Sequence, residues 1–276
     1  MTRVLLLFLV GCGAPEVVEA TGCNGADHLC ERTVNQVAFL RAHNSHATDE
    51  RGYNAWSRNH WYAIPTQLAD GVRALNIDVY EEEGQLLLCH GFCGLGSQPL
   101  DEALTEIAYF LNDNSREVVI LDFQDESPDG ALVEALSAHP LTDLAYTYTG
   151  AAWPTLRTLI EDGTPLLLLG GPEEGDPSWV NSESEIKYGT HWAYEAPDEL
   201  ECITTSDPTE FGLYEVTHIL TNPIASVENA EAINHQPLIG EHIDQCVAEV
   251  GFVNLLSIDY YSIGDGQTVV DGLNAP

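Results

Sequence analysis

The stretch LDEALTEIAYFLNDNSREVVILDFQDE, residues 100–126, sets a helix and a buried strand back to back, and its reading decides the fold. Apolar residues at Leu100, Ala103, Leu104, Ile107 and Leu111 recur at three- and four-residue spacing, which lines one face of a helix over 100–112. After a polar turn, residues 118–123 run almost unbroken in apolar side chains, the mark of a strand covered on both faces. Gln124 and Asp125 end it in polar residues. Working outward, strands are also predicted over 36–41, 72–80, 86–89, 165–169, 218–221 and 252–260, with a weaker one near 188–194. Helical patterns lie at 65–70, 130–138, 154–161 and 239–250. Apolar strands alternating with helices imply a mostly parallel sheet covered on both sides. A count of eight strands in 276 residues suits a single (β/α)8 TIM-like barrel, open to distortion. An open doubly wound sheet is the runner-up, but the Gly-rich turn it would need after the first strand is replaced by AHNSHA, residues 42–47.

The chain opens MTRVLLLFLVGC, a lone Arg3 before an apolar run too short to span a bilayer, and 1–11 reads as a signal peptide. Leu9-Val10-Gly11-Cys12 resembles a bacterial lipobox, which would make Cys12 the lipidated residue and the protein a cell-envelope lipoprotein. Without lipidation the same leader implies secretion. Residues 12–33 then form a tether and a disulfide-closed loop, and 34–276 the barrel domain. Six cysteines remain, an even number suited to an oxidising compartment. Pairing by proximity joins Cys23 to Cys30, Cys89 to Cys93 and Cys202 to Cys246, one of fifteen possible pairings. No Cys-x-x-Cys spacing supports a zinc site instead.

Asp and Glu number 44 against 9 Lys and Arg, and Lys187 is the only lysine. Such a charge repels nucleic acid and anionic membranes, and it suits either a salt-adapted source or a merely acidic secreted protein. An anionic substrate would have to be attracted by a local cation: Arg41, Arg73 or a bound metal. The chain is expected to be a monomer.

Polar residues gather just after the apolar strands, where the catalytic face of a barrel lies: His43 and Asn44, Asp78, His90, Gln124 and Asp125, and Asp259. Two histidines on different strands suit general base and acid work, because an imidazole titrates near neutral pH. Asn44 and Asp78 are hard oxygen donors, so they could bind Ca²⁺ or Mg²⁺; equally, Asp78 could orient a histidine or pair with an arginine. His46, His60, His139, His191, His218, His235 and His242 carry no such arrangement and receive no role. Trp56 and Trp61 could line a substrate mouth, meet a lipid interface or simply pack.

AHNSHA resembles the start of the X domain of phosphatidylinositol-specific phospholipase C, where a catalytic histidine precedes Asn or Asp and Ser. QLADGVRALNIDVY (67–80), LLLCHGFCG (86–94) and REVVILDFQDE (116–126) resemble the family's following segments in order. The similarity is greatest to the secreted PLC-like phosphodiesterases of plants, fungi and bacteria, whose late Asp-Phe-Tyr-like segment is Asp259-Tyr260-Tyr261 here. It is strong over 34–126, returns at 252–264 and is faint between. The resemblance implies that His43 is the general base and His90 the general acid in cleaving a phospholipid or glycosyl-phosphatidylinositol head group. It places Asn44 and Asp78 at calcium-binding positions, with Asn76 and Gln124 where the metal-dependent branch has carboxylates. Asp125 is the candidate to replace a missing ligand, Arg73 or Arg41 to contact the phosphate, and Asp259 to orient His43. Two further readings stand beside this one. One is a metal-dependent phosphodiesterase of the glycerophosphodiesterase or sphingomyelinase D kind, and the other a catalytically silent, lipid-anchored binding protein.

Overall fold

In a computed structural model, residues 22–276 are described; the leader and Cys12 lie outside the described residues. The first five strands are β1 (Phe39–Ala42), β2 (Ala74–Glu82), β3 (Gln85–Leu88), β4 (Gln98–Pro99) and β5 (Val119–Asp125). The other five are β6 (Leu166–Gly170), β7 (Val180–Ser182), β8 (Lys187–Gly189), β9 (Leu213–His218) and β10 (Leu255–Ile258). Eight of these run parallel in the order β7-β6-β5-β2-β1-β10-β9-β8, so the sheet curls toward a barrel. Its seam falls between β7 and β8, which a four-residue helical turn, Glu183–Ile186, joins in sequence.

The expected barrel class holds, but the staves differ from the apolar runs. Residues 86–89 form no stave: β3 turns back antiparallel on β2 and pairs onward with β4. The cause is local. Glu83 and Gly84 both take positive φ, 53° and 78°, which makes the two-residue turn that reverses a hairpin. The eighth stave is instead β7, whose sequence Val-Asn-Ser carries no apolar pattern to find. The strand expected over 218–221 lies earlier, as β9, because its inward residues Glu215 and Thr217 break the apolar run.

Period-two alternation sorts the strand residues into two clusters. Leu40, Leu75, Ile77, Leu121, Leu168, Val216 and Leu256 face out, packing against the helix Leu100–Asp113 and the helix Leu238–Glu249. Leu104 and Ile107 of the first, and Ile239 and Ile243 of the second, lie in that cluster. Phe39, Ala74, Ile120, Leu167, Leu213 and Leu255 face in and fill the lower barrel, which the Cys23–Cys30 loop and Trp153 close from below. Two residues further along five of these six strands the interior turns polar: Arg41, Asn76, Asp122, Glu215 and Ser257, while β6 continues apolar with Leu169. One more step gives His43, Asp78, Gln124, Thr217 and Asp259 at the carboxyl end.

The three disulfides join Cys23 to Cys30, Cys89 to Cys93 and Cys202 to Cys246, as proximity in sequence suggests. Among the described residues no helix is long and apolar enough to cross a membrane.

Candidate active site

β1 delivers His43 directly to the mouth of the barrel, its backbone N–H still bonded to the carbonyl of Ile258 on β10 (3.1 Å). At the next residue the chain must turn, and Asn44 takes φ 48°, a left-handed conformation that asparagine tolerates better than most residues. Its N–H is held by the side-chain oxygen of Asn76 (3.1 Å). β10 in turn delivers Asp259, whose Oδ1 faces Nδ1 of His43 at 2.9 Å. Because a carboxylate only accepts, Nδ1 carries the proton and the neutral ring offers Nε2 as a base. Burial alone would raise the Asp259 carboxyl, but His43 first, with His60 and Asn59, holds it below the ordinary carboxylate range.

His90 follows β3 in the loop that Cys89 and Cys93 close. Its Nδ1 donates to the carbonyl of Ser57 (2.8 Å), which fixes the same tautomer as in His43. Burial pushes the His90 imidazole below its ordinary value, opposed by the Ser57 carbonyl, with His43 lowering it further and Asp259 raising it. The two histidines are thus within electrostatic reach of one another, each with Nε2 left for a substrate.

Two more histidines, to which no motif assigns a role, pack underneath. His60 donates Nε2–H to the carbonyl of His43 (2.6 Å), and burial brings its imidazole down to about 4. His46, fully buried edge-on to Tyr53, is brought down to about 3 by burial and then by His90. Asn59 donates to Oδ1 of Asp259 at 2.7 Å. No motif marks these residues, since their places come from a loop that returns over the barrel mouth.

Beside His43 opens a cavity of about 550 Å³ bounded by Arg41, Asp122, Glu183, Lys187, Thr190, Trp192, Glu215 and Ser257. Arg41 lies on its floor, ion-paired to Asp122 and to Glu215 (2.9 Å) and donating to Ser257 Oγ (2.8 Å). Lys187 reaches Asp122 at 2.7 Å, Glu183 at 2.7 Å and Glu215 at 2.9 Å. Burial would raise both the Asp122 and Glu215 carboxyls, yet the two cations hold them below the ordinary range. Asp122 and Glu215 were not legible as site residues because each lies inside its strand rather than at the polar end.

Two assigned residues are not brought to the site. Arg73 precedes β2, at the opposite end of the barrel, where Nε pairs with Glu117 (2.7 Å) and Nη1 donates to the carbonyls of Leu68 and Val72. Its place before the strand rather than after it takes it away from any phosphate at the histidines. Asp125 is one residue out of phase with Asp122's face of β5, so it points away from the interior and accepts from Ser127 N and Oγ (2.9 and 2.6 Å).

The metal expectation rests on Asn44 and Asp78. With its amide oriented toward Asp78, Asn44 donates to the two Asp78 oxygens (3.0 and 3.1 Å), and its oxygen faces His43 Nε2 (3.3 Å), from which it accepts only once the ring has taken up a second proton. Burial raises the Asp78 carboxyl to about 7, with His43 and Arg41 opposing. Asn76 is spent on the backbone of Asn44, and exposed Gln124 turns to Glu126 (3.4 Å). The protein donors left over fall short of the six to eight oxygens that Ca²⁺ takes.

The curled parallel barrel, with His43 and His90 at its mouth, has the architecture of the phospholipase C X domains. The PI-PLC X family (PI-PLC X 1) matches residues 29–274, and the chain belongs to that family. A PI-PLC X domain-containing protein of Arabidopsis thaliana is 24% identical over 241 residues, covering 77% of this chain and 54% of the relative. A protein of Arthroderma benhamiae named as an uncharacterized secreted protein is 31% identical over 157 residues, covering 54% of this chain and 35% of the relative. The chain therefore spans about half the length of these curated relatives, or less. Among solved structures, the phosphatidylinositol-specific phospholipase C of Staphylococcus aureus superposes with a TM-score of 0.64 at 14% identity, over 88% of this chain and 94% of that one. That of Listeria monocytogenes gives 0.62 at 15%, over 89% and 94%. These likenesses establish the fold.

Proposed function

We propose that this protein is an exported phosphodiesterase that cleaves a phospholipid or glycosyl-phosphatidylinositol head group by acid–base catalysis between His43 and His90. The observation that carries the reading is that both rings are anchored through Nδ1, one by Asp259 and one by the Ser57 carbonyl, so both present Nε2. His43 takes the proton of the attacking hydroxyl, either a neighbouring hydroxyl of the head group or water. That oxygen bonds to phosphorus, the phosphorus–oxygen bond to the diacylglycerol breaks, and His90, entering the step protonated at both ring nitrogens, gives its Nε2 proton to the departing oxygen and keeps the one held by Ser57. Arg41, on β1 two residues before His43, is the cation this scheme assigns to the reacting phosphate.

The head group would occupy the cavity beside His43. Its charged residues comprise two cations, Arg41 and Lys187, against three carboxylates, Asp122, Glu183 and Glu215. That balance disfavours a head group bearing further phosphates and suits an uncharged polyol, whose hydroxyls both donate and accept. A lipid anchor at Cys12 would hold the enzyme at the membrane as a monomer. The intact histidine pair supports catalysis over a silent binding role, and the shortage of oxygen ligands supports a metal-independent reaction over a glycerophosphodiesterase-like one.

The test is to follow the chain from Gly13 onward by phosphorus NMR with phosphatidylinositol in mixed micelles, with Ca²⁺ or with EDTA. A cyclic phosphodiester that disappears in His43→Ala and in His90→Ala supports the reading. No turnover of a folded protein under either condition removes inositol lipids as the substrate.

A further inference from the structure

Residues 57–60, Ser-Arg-Asn-His, touch both halves of the histidine pair, although they lie in neither strand that bears it. The Ser57 carbonyl receives Nδ1–H of His90 (2.8 Å). Two residues later Asn59 Nδ2 donates to the Asp259 oxygen that also receives Nδ1–H of His43 (2.7 Å). The next residue, His60, donates Nε2–H to the carbonyl of His43 itself (2.6 Å). The segment is in turn pinned: Asn59 N–H and His60 N–H both donate to Ala47 O (2.7 and 3.2 Å), and Asn59 O accepts from Tyr260 N–H (2.7 Å). Asn59 and His60 are fully buried.

We propose that residues 57–60 act as one jig that sets the tautomer and placement of both histidines, with Asn59 and His60 as positioning residues for His43 and the Ser57 carbonyl as the stop for His90. Three anchors within four consecutive residues tie the base and the acid to one piece of backbone, so their separation is set by that segment rather than by the two strands. The inference rests on the acid–base reading above for its catalytic meaning, but the geometry can be tested without turnover. His60 has a fully assigned tautomer, since Tyr261 N–H donates to Nδ1 (3.4 Å) while Nε2–H is given to His43 O. Buried and neutral, it serves as a neutral donor, a part that a glutamine amide can also play.

The experiment is nitrogen NMR of the histidine side chains in wild type, His60→Phe, His60→Gln and Asn59→Ala, with amide spectra to establish folding. In wild type both His43 and His90 are expected as the Nδ1–H tautomer. His60→Phe should move both rings toward an averaged tautomer and lower kcat by about 10²-fold with KM little changed, the scale of a displaced catalytic group. His60→Gln should bring both signals back and recover most of the loss. Asn59→Ala should disturb His43 and carries the test if His60→Phe does not fold. Signals unchanged in both His60→Phe and Asn59→Ala overturn the proposal, and so does a His60→Phe response confined to His43. The expected spectra without turnover on any phosphodiester would support the jig while rejecting the catalytic reading.

Discussion

Arg41 and Lys187 converge on a single oxygen, Oδ2 of Asp122, from β1 and from β8. The same two cations divide the oxygens of Glu215 between them, Arg41 on Oε1 and Lys187 on Oε2. Each buried carboxylate therefore depends on both cations. Lys187→Met leaves two buried carboxylates sharing one cation, and the cost of breaking such a network is about 3–5 kcal/mol. The double variant Lys187→Met/Asp122→Asn should cost less than Lys187→Met alone, because it removes the stranded charge as well. Urea unfolding of the two variants checks this ordering, and a double variant less stable than the single one would show that the network does not work as a unit.

His60 gives stability a pH dependence with a definite sign. Its imidazole is held at about 4 when folded, against an ordinary value near 6.5 in the unfolded chain. The unfolded state binds the proton first as pH falls, so stability is full above about 6.5 and drains away toward 4. His60→Gln cannot titrate. Its stability relative to wild type should therefore improve by up to about 1.4 kcal/mol per pH unit between 6.5 and 4. Equal pH slopes in the two proteins would mean that His60 is not held neutral. Comparing the pair cancels the opposing effect of Asp78, whose raised carboxyl gains a proton on folding over much of the same range.

The disulfides should separate stability from activity. Cys202–Cys246 spans 44 residues of sequence and closes a long loop, worth about 4 kcal/mol in chain entropy, whereas Cys89–Cys93 spans 4 and is worth about 2. The short one, however, brackets His90. Cys89→Ser/Cys93→Ser should lower the melting temperature less than Cys202→Ser/Cys246→Ser and lower kcat more. Calorimetry and turnover on the same samples test the crossing, and a parallel loss of both properties in the two variants would reject it.

What the sequence made legible follows from what repeats in it. The helix over Leu100–Asp113 carries a period of 3.6 and the strand β5 an almost unbroken apolar run, so both could be read with near-correct bounds. His43, His90 and Asp259 were legible because strand ends are where a barrel places chemistry, and they sit in motif-like segments. The period-two phase along β5 was available too: counted from Asp122, it assigns Asp125 to the outer face, a step that a search for nearby carboxylates passes over. Asn59 and His60 were hidden for another reason. Their function depends on where a loop without regular structure crosses the barrel, which only the assembled tertiary contacts determine.

The depression of His90 bears on the pH profile of turnover. A general acid must be protonated in the free enzyme, and the alkaline limb of kcat/KM reports its proton loss. Burial, with help from His43, holds His90 below the ordinary imidazole value, so that limb should lie below about pH 6.5. A limb at or above that value would remove His90 as the donor.

The net charge of −35 should make the protein respond to salt twice. Folding gathers these carboxylates onto one surface, where their repulsion reaches about 8 Å at 0.15 M salt and about 3 Å at 1 M. The melting temperature should therefore rise between those two concentrations, since screening relieves the folded state more than the extended one. Binding to anionic vesicles should strengthen over the same range, the reverse of what a basic lipid-binding surface shows. The proposed polyol reading of the cavity gives no reason for kcat on a monomeric soluble diester to change. Rising vesicle turnover with constant soluble turnover would thus locate the effect in long-range repulsion, whereas equal salt responses on both substrates would place it at the charged floor formed by Arg41 and Lys187.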